Sequence, residues 1–277
     1  VIGMHRSGTS VVSRVLEQLG VFQGHHKDTN NEPYFFLHTN HWMLRAAGAT
    51  WERPLPMNDL IDTPVQRERV SRHVRHWMSS PRSIGYLGVW QYASGTRLLE
   101  MGSPWGWKDP RNTFTLPLWL DVFPDASVIH VVRHGVDVAN SLYTRQQRNA
   151  ETIWNRYIQR KNLHLVLQKK GGFSDTIRGS TLKGALDMWC EYVDQSRVHL
   201  RNISRGHEVV YEEFLANPET DIRSLASFLQ RDLTSEQLNK ILSGLEASRA
   251  FAFRGNEALR QFSADHSDIL ASRGYEP

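Results

Sequence analysis

The sequence predicts an α/β fold: a three-layer sandwich with a central parallel sheet between helices and a helical insertion over the ligand cleft. Three observations lead there. Short β-branched runs at Val1–Ile2, Ser127–Val132 and Val209–Tyr211 have the length and composition of buried strands. Helical periodicities separate them, as a parallel sheet requires, because a parallel neighbour is reached only through a crossover. A glycine-bounded loop joins the first strand to the first helix, as the carboxyl-end turns of such sheets do.

The elements follow in order. Val1–Ile2 ends a strand that runs into a turn. From Thr9 to Leu19 the chain reads as a helix, with Val11, Val12, Val15, Leu16 and Leu19 on one face and Gly20 in the capping position. Residues 21–40 read as loop, punctuated by Asp28, Asn30, Asn31 and Pro33. Residues 40–105 form the helical insertion. Val70, Val74, Trp77 and Met78 give it an apolar stripe, and Arg67, Arg69, Arg72 and Arg75 read as a solvated face. Pro124–Asp125 turns the chain into the strand ending at Val132, and a helix from Val136 to Gln147 follows. Leu182, Leu186, Trp189, Cys190 and Val193 mark a long amphipathic helix. Ile222, Leu225, Ala226 and Leu229 mark another, and Thr234 with Gln237 has the spacing of a capping box. No repeat, low-complexity tract or linker interrupts the chain, so residues 1–277 read as a single domain.

Composition narrows the setting. Among 277 residues, an apolar fraction of 40% and nine tryptophans suffice for a large core. The lone Cys190 cannot close an internal disulfide, which argues against a disulfide-stapled secreted scaffold and for a cytoplasmic one. No apolar run reaches the length of a membrane span, so no integral membrane segment is expected. The sequence opens on Val1 within a strand pattern, which leaves room for residues upstream. A net charge of +4 suits an anionic partner. It is too small to name nucleic acid, and a nucleotide cofactor accounts for it equally well.

The residues that carry chemistry fall in two places. Gly3-Met4-His5-Arg6-Ser7-Gly8-Thr9-Ser10 lies between strand and helix, and its glycines have the separation of a P-loop. Glycine lets the backbone turn so that successive N–H groups face an anion, and the following helix adds its positive end. Where a nucleoside triphosphatase has lysine after the second glycine, this chain has Thr9; the fixed charge of the loop is Arg6. The second place is Arg133, which ends a strand where a Mg²⁺-dependent relative would often have a carboxylate. Ser141 and Arg145 follow, one helical turn apart. These features describe a ligand with phosphates at two ends and call for no metal. They leave open a small-molecule phosphoryl transferase with an altered loop, or a non-catalytic protein that binds an adenine nucleotide.

The pattern resembles the sulfotransferases that use 3′-phosphoadenosine-5′-phosphosulfate (PAPS), chiefly their bacterial, carbohydrate and tyrosylprotein branches. Residues 3–10 resemble the family's 5′-phosphosulfate loop, and Arg133 with Ser141 its 3′-phosphate motif. Arg145 matches a further arginine of the tyrosylprotein branch. Trp107-Lys108-Asp109-Pro110-Arg111 resembles a Lys-Asp-Pro segment, and Val210 to Pro218 resembles a strand-to-helix segment whose tyrosine lies near the adenine. The resemblance implies a P-loop sandwich and sulfuryl transfer from PAPS to a hydroxyl or amine on a carbohydrate, lipid or other small molecule. Arg6, Ser7, Gly8, Thr9 and Ser10 would hold the 5′-phosphate, and Arg133, Ser141 and Arg145 the 3′-phosphate. Tyr211 would border the adenine, and Lys108 the bridging oxygen. Transfer to a hydroxyl calls for a base. Glu32, in a Glu-Pro pair like that of carbohydrate sulfotransferases, is the first candidate and His38 the second; His25, His26, Asp28 and His41 share the region. The sequence departs from many bacterial members at Phe36, near which they carry a glutamate. Arg249, Arg254 and Gly255 read as tail surface rather than as the basic loop that closes over PAPS in the cytosolic branch. Trp42, Trp51, Trp90 and Trp105 are core, or else a platform for sugar rings.

Overall fold

The computed structural model describes residues 1–246 and 249–277. In chain order its elements are α1 (Thr9–Gln18), α2 (Tyr34–Ala46), α3 (Pro56–Ile61), α4 (Pro64–Met78), α5 (Ile84–Leu87), α6 (Val89–Ala93), α7 (Asn112–Val122), β1 (Val128–Val132), α8 (Gly135–Arg160), α9 (Leu182–Arg201), β2 (Gly206–Val210), α10 (Tyr211–Ala216), α11 (Pro218–Phe228), α12 (Ser235–Ser243), α13 (Glu257–Asp265) and α14 (Ser267–Ala271). They group into two compact units. The first is Val1–Arg133 with Tyr192–Ala250, and the second His134–Glu191 with Phe251–Pro277. Among the described residues, no helix is long and apolar enough to cross a membrane.

In the first unit, β1 and β2 run parallel, in register from Val128 opposite Gly206 to Val132 opposite Val210. Ile2 bridges the other edge of β1: its N–H donates to the Ile129 carbonyl (2.9 Å), and its carbonyl accepts from Val131 (3.1 Å). β1 is therefore central and buried throughout, and so it reads as a continuous apolar run rather than an alternating one. Its side chains divide between two layers. Ile129 and Val131 share a core with Val12 and Leu16 of α1, Leu225 of α11 and Ile241 of α12. Val128 packs with Ile2 and with Leu116 of α7. Helix, sheet and helix are the three layers that the sequence predicts.

Local chemistry explains where the helices begin and end. α1 stops at Gly20, whose φ of +81° suits glycine alone. Gly20 N–H then reaches the Glu17 carbonyl (3.0 Å) and Val21 N–H the Leu16 carbonyl (2.9 Å), a Schellman cap. The capping box predicted at Thr234 and Gln237 opens α12. Three expectations need correction. The loop after α1 ends at Pro33, not at residue 40, because one turn built on Asp28 uses up its polar punctuation and Pro33 then caps α2. Tyr211 opens α10 instead of closing β2, since strand pairing ends at Val210 and Glu212 and Glu213 favour a helix start. The arginine face of α4 is not wholly solvated. Arg67 forks onto Asp121 of α7 (2.9 and 2.7 Å), and Arg75 donates to the Asp121 carbonyl (2.6 Å), a partner about 50 residues away in sequence.

The second unit is built on α8 and the first half of α9. Gly135 leaves no room for a side chain, because an added Cβ would lie 2.8 Å from the Trp189 ring. The Asp137 carboxylate accepts the N–H groups of Ala252 (3.2 Å) and Phe253 (2.8 Å), and the His134 ring stacks on Phe253 at 4.3 Å. The C-terminal segment is thus packed onto α8. That helix continues to Arg160, well past the predicted end at Gln147, because its last turns are exposed and carry no core-facing stripe for the sequence to display.

Gly3 tests the sheet edge. Its φ is +130°, and an added Cβ would lie 2.3 Å from the Val131 carbonyl oxygen. Gly3→Ala should lower the unfolding free energy by about 2–4 kcal/mol in denaturant titration. At Gly95, where φ is +92° and nothing lies within 4 Å, alanine should cost only about 1 kcal/mol.

Candidate active site

The loop from Gly3 to Gly8 leaves the Ile2 strand and enters α1. Gly8 caps that helix with φ +91° and offers no side-chain oxygen to its first N–H groups. Those donors have no intrahelical partner by geometry, so they face outward at the positive end of the dipole. Arg6 lies in the left-handed region at φ +75°, an uncommon conformation for a residue with a Cβ and a frequent one in anion-binding turns. The Tyr211 ring packs so closely on Gly8 that a Cβ there would meet it at 2.3 Å. The two glycines of the loop are therefore required for different reasons: Gly3 by the strand behind it, and Gly8 by the ring in front.

Parallel register brings further charge to the same place. Arg133 and Tyr211 each follow the last paired residue of their strand, and the Arg133 guanidinium lies over the Tyr211 ring at 5.2 Å. Arg133 Nη1 donates to the Arg6 carbonyl (3.5 Å) and Nη2 to the Arg249 carbonyl (2.7 Å). Burial, then the charges of Arg133 and Arg249, lowers the Arg6 pKa from its ordinary value. Arg6 is exposed, so crowding by like charges is the part of that cause that bears on a ligand. Three guanidinium charges sharing one field are relieved by an anion.

Behind the loop lies a buried ionic network. Ser10 Oγ donates to the Asn30 carbonyl (2.7 Å), fastening the start of α1 to the segment that carries Glu32. Asp28 shapes that segment by accepting the N–H groups of Asn30 (2.9 Å) and Glu32 (2.8 Å). Glu32 is 3% exposed. Its Oε1 accepts from Lys108 Nζ and its Oε2 from Arg111 Nη1, both at 3.0 Å. The same Nη1 reaches Asp109 Oδ1 (2.8 Å), and Asp109 Oδ2 accepts from Asn40 (2.8 Å). The Asn40 carbonyl oxygen in turn accepts from Thr115 and from the Trp119 indole, both at 2.8 Å. Burial, then the Asp109 charge, raises the Glu32 pKa above the ordinary carboxylate value of 4.5, against the pull of Lys108 and Arg111. His41 is pushed down to about 4 by burial and then by Arg111, so it is neutral at pH 7 and a weak base.

A P-loop without its lysine, a crowd of guanidinium charges and a buried Lys–Glu pair are what transfer of an anionic group needs. Comparison with known proteins gives the class. The sulfotransferase family profile matches residues 1–235. The chain belongs to the sulfotransferase family. Among solved structures it is similar to the sulfotransferase domain from the Synechococcus PCC 7002 olefin synthase. The identity is 17% and the TM-score 0.52, over 100% of this chain and 94% of that one. It is also similar to the sulfotransferase domain from the curacin biosynthetic pathway, at 14% identity and TM-score 0.50, over 96% and 95% of the two chains. Curated proteins give no match.

Glu32 and Lys108 come into direct contact, and Arg6, Arg133, Gly8 and Tyr211 meet around one loop. His38 stands on the exposed side of α2, stacked on Tyr34 at 6.0 Å. Ser141 and Arg145 lie a turn apart on α8, in the second unit. Phe36 is fully buried and stacks on Trp107 at 3.9 Å within an aromatic cluster that also holds Trp105. Trp90, by contrast, is 88% exposed. A cavity of about 630 Å³, lined by Val21, Trp105, Trp119 and Val128 among others, contains none of the predicted site residues. Sequence reasoning passed over three participants: Arg111, quoted in its motif without a role; Asn40, an unremarked polar residue in a helix; and Arg249, assigned to the surface. Only the Lys-Asp-Pro-Arg adjacency hinted at the first.

Asp109 holds the network together. It is fully buried and bonded to Arg111 and Asn40. Asp109→Ala leaves Arg111 and Asn40 with buried, unmet donors and should lower the unfolding free energy by about 3–5 kcal/mol in denaturant titration.

Proposed function

We propose that this sulfotransferase takes its sulfuryl group from PAPS and passes it to a hydroxyl or amine on a carbohydrate, lipid or other small molecule. The observation that carries the proposal is the convergence of an uncapped helix start with the charges of Arg6, Arg133 and Arg249 at the ends of adjacent parallel strands. These residues suit an anionic nucleotide of this kind. The helix end and the arginines supply donors and positive charge, and Tyr211 supplies an aromatic face between them. The lone Cys190 fits a cytoplasmic setting.

PAPS, when bound, supplies an activated sulfuryl group and departs as adenosine 3′,5′-bisphosphate. The N–H groups of Gly8, Thr9 and Ser10, with Arg6, would hold the 5′ end, joined by the Ser7 N–H, which here donates to the Met4 carbonyl (3.2 Å). Arg133 holds the 3′-phosphate, and Tyr211 borders the base. The assignment of Ser141 and Arg145 to the 3′-phosphate rests on the motif. The Lys108 ammonium would lie by the leaving oxygen and stabilise the charge that develops there more in the transition state than in the ground state. Glu32 takes the acceptor's proton: its raised pKa makes it a better base than an ordinary carboxylate, and Arg111 keeps it oriented. His38 is the second candidate for that role.

Adenosine 3′,5′-bisphosphate without magnesium should raise the melting temperature. Arg133→Ala should weaken its binding far more than that of 5′-AMP in calorimetric titration. Equal losses for the two nucleotides would remove the 3′-phosphate assignment.

Glu32→Gln should lower kcat by about 10²–10⁴-fold, whereas His38→Asn should leave it within a few fold. The sign of the pH dependence follows from the raised pKa of Glu32. A base acts when deprotonated, so kcat/KM should fall on acidification through a limb above the ordinary carboxylate value of 4.5. That limb should be missing from the residual activity of Glu32→Gln. A profile unchanged in Glu32→Gln but altered in His38→Asn would transfer the role to His38.

A further inference from the structure

In the second unit, the end of α8 and the segment after it carry a surface that sulfuryl transfer does not use. Eight of the fifteen large apolar side chains exposed among the described residues lie within residues 154–177. Exposure is therefore concentrated here rather than scattered, which sets this surface apart from ordinary apolar exposure. It peaks at Leu165 (84%) and Val166 (86%), with Leu163 and Leu167 beside them at 51% and 55%.

The projection is built rather than loose. Trp154, Tyr157 and Phe173 pack on one another, with ring centroids 5.0–5.4 Å apart. Lys161–Leu165 forms a 3₁₀ turn above this base, and Leu167 N–H closes onto the Leu163 carbonyl (2.9 Å). The aromatic rings, with Trp154 and Phe173 about half exposed, flank an aliphatic turn that is the most exposed part of the surface.

Charge surrounds it. Residues 148–173 hold six of the chain's 33 lysines and arginines (Arg148, Arg156, Arg160, Lys161, Lys169 and Lys170) and one of its 29 acidic residues, Glu151. The segment's +5 therefore exceeds the +4 of the whole chain, and the remaining residues sum to −1. An aliphatic tip with cations on both sides of it along the chain matches one kind of surface, an apolar interior beneath anionic headgroups. Leucine and valine, which form its most exposed part, are under-represented in protein hot spots.

We propose that residues 154–173 dock this protein on an anionic lipid bilayer, with Leu165 and Val166 entering the acyl boundary and the lysines and arginines meeting the headgroups. No helix among the described residues can span the membrane, so the attachment is peripheral and reversible. The proposal does not depend on the identity of the sulfuryl donor.

Flotation with vesicles of phosphatidylcholine, alone or mixed with phosphatidylglycerol, tests it. The wild-type chain should float with the mixed vesicles, fail to float with the neutral ones, and be released by salt. Lys161→Gln with Lys170→Gln removes two cations and should weaken binding about 25-fold. Leu165→Glu with Val166→Glu should abolish it, while the melting temperature and bisphosphate binding stay at wild-type values, because both side chains stand almost free of the fold. No flotation, equal flotation with neutral vesicles, or undiminished flotation of the tip variant would each overturn the proposal. So would a concentration-dependent dimer that the tip variant dissolves without vesicle binding, which would make a second copy the occupant. Retention of the wild-type chain by an acidic protein with no affinity for the vesicles would overturn it equally.

Discussion

Parallel pairing in a single register is the constraint on which this site depends. β1 lies between Ile2 and β2, and all three run the same way. Parallel strands end together, so the turns that leave them start from one edge. Gly3, Arg133 and Tyr211 come from three distant parts of the sequence, yet each follows the last paired residue of its strand. A one-residue slip of β2 would turn Tyr211 away from Gly8 and Arg133 and expose the apolar face of the strand, so the burial that fixes the register also fixes the site. The close fit of Gly3 against Val131 and of Gly8 against Tyr211 is this constraint expressed as sterics.

The buried network behind the loop obeys a different rule. Burying one charge is costly, and burying a pair breaks even only with good geometry and filled hydrogen bonds. Glu32, Asp109, Lys108 and Arg111 carry two charges of each sign, so the group is neutral as a whole. Asn40 donates to Asp109 and is itself fixed by Thr115 and Trp119, while Arg111 Nε is left without a partner among the described residues. Neutrality in sum does not balance each member. Burial, then the charge of Asp109, holds Glu32 above its ordinary pKa while two cations keep it fixed. A carboxylate that is both immobile and more basic than usual is suited to accept a proton at a defined place. Asp109 adds to that state, which burial begins, and holds Arg111 in place beside it.

The sequence displayed what is local. The loop at residues 3–10 is contiguous, so its glycine spacing and the missing lysine could be read directly. Arg133 was legible because an apolar run announces a strand and the next residue inherits the strand's end. Thr234 and Gln237 cap a helix three residues apart, and they do so here. What stayed hidden is contact between distant residues. The partner of Arg111 lies 79 residues upstream, and that of Arg67 lies 54 downstream. Nothing in the composition around Arg249 distinguishes it from a surface arginine; only the fold brings its carbonyl to Arg133 and its charge to Arg6. Phe36 shows the converse. The family pattern suggested a glutamate nearby, and packing explains the phenylalanine, since its ring is sealed against Trp107 in a cluster with no room for a charge.

Net charge proves to be a poor guide to the nucleotide site. The +4 of the chain suits a phosphate-bearing ligand, but residues 148–173 hold more than the whole of it. Without them the protein is slightly acidic, and the anion loop nevertheless gathers three guanidinium charges at one edge of the sheet. The positive field at that edge therefore comes from placement, through register, an uncapped helix and a left-handed Arg6, rather than from bulk electrostatics. The segment that does carry the bulk charge binds nothing within its own unit strongly enough to neutralise it. Lys169, for example, spends its donors on the carbonyls of Gly171 and Gly172 and its charge on the Phe173 ring. A charge excess left uncompensated beside an exposed aliphatic turn is held at a standing cost in self-repulsion and apolar hydration. The bilayer docking proposed above would offset both costs together.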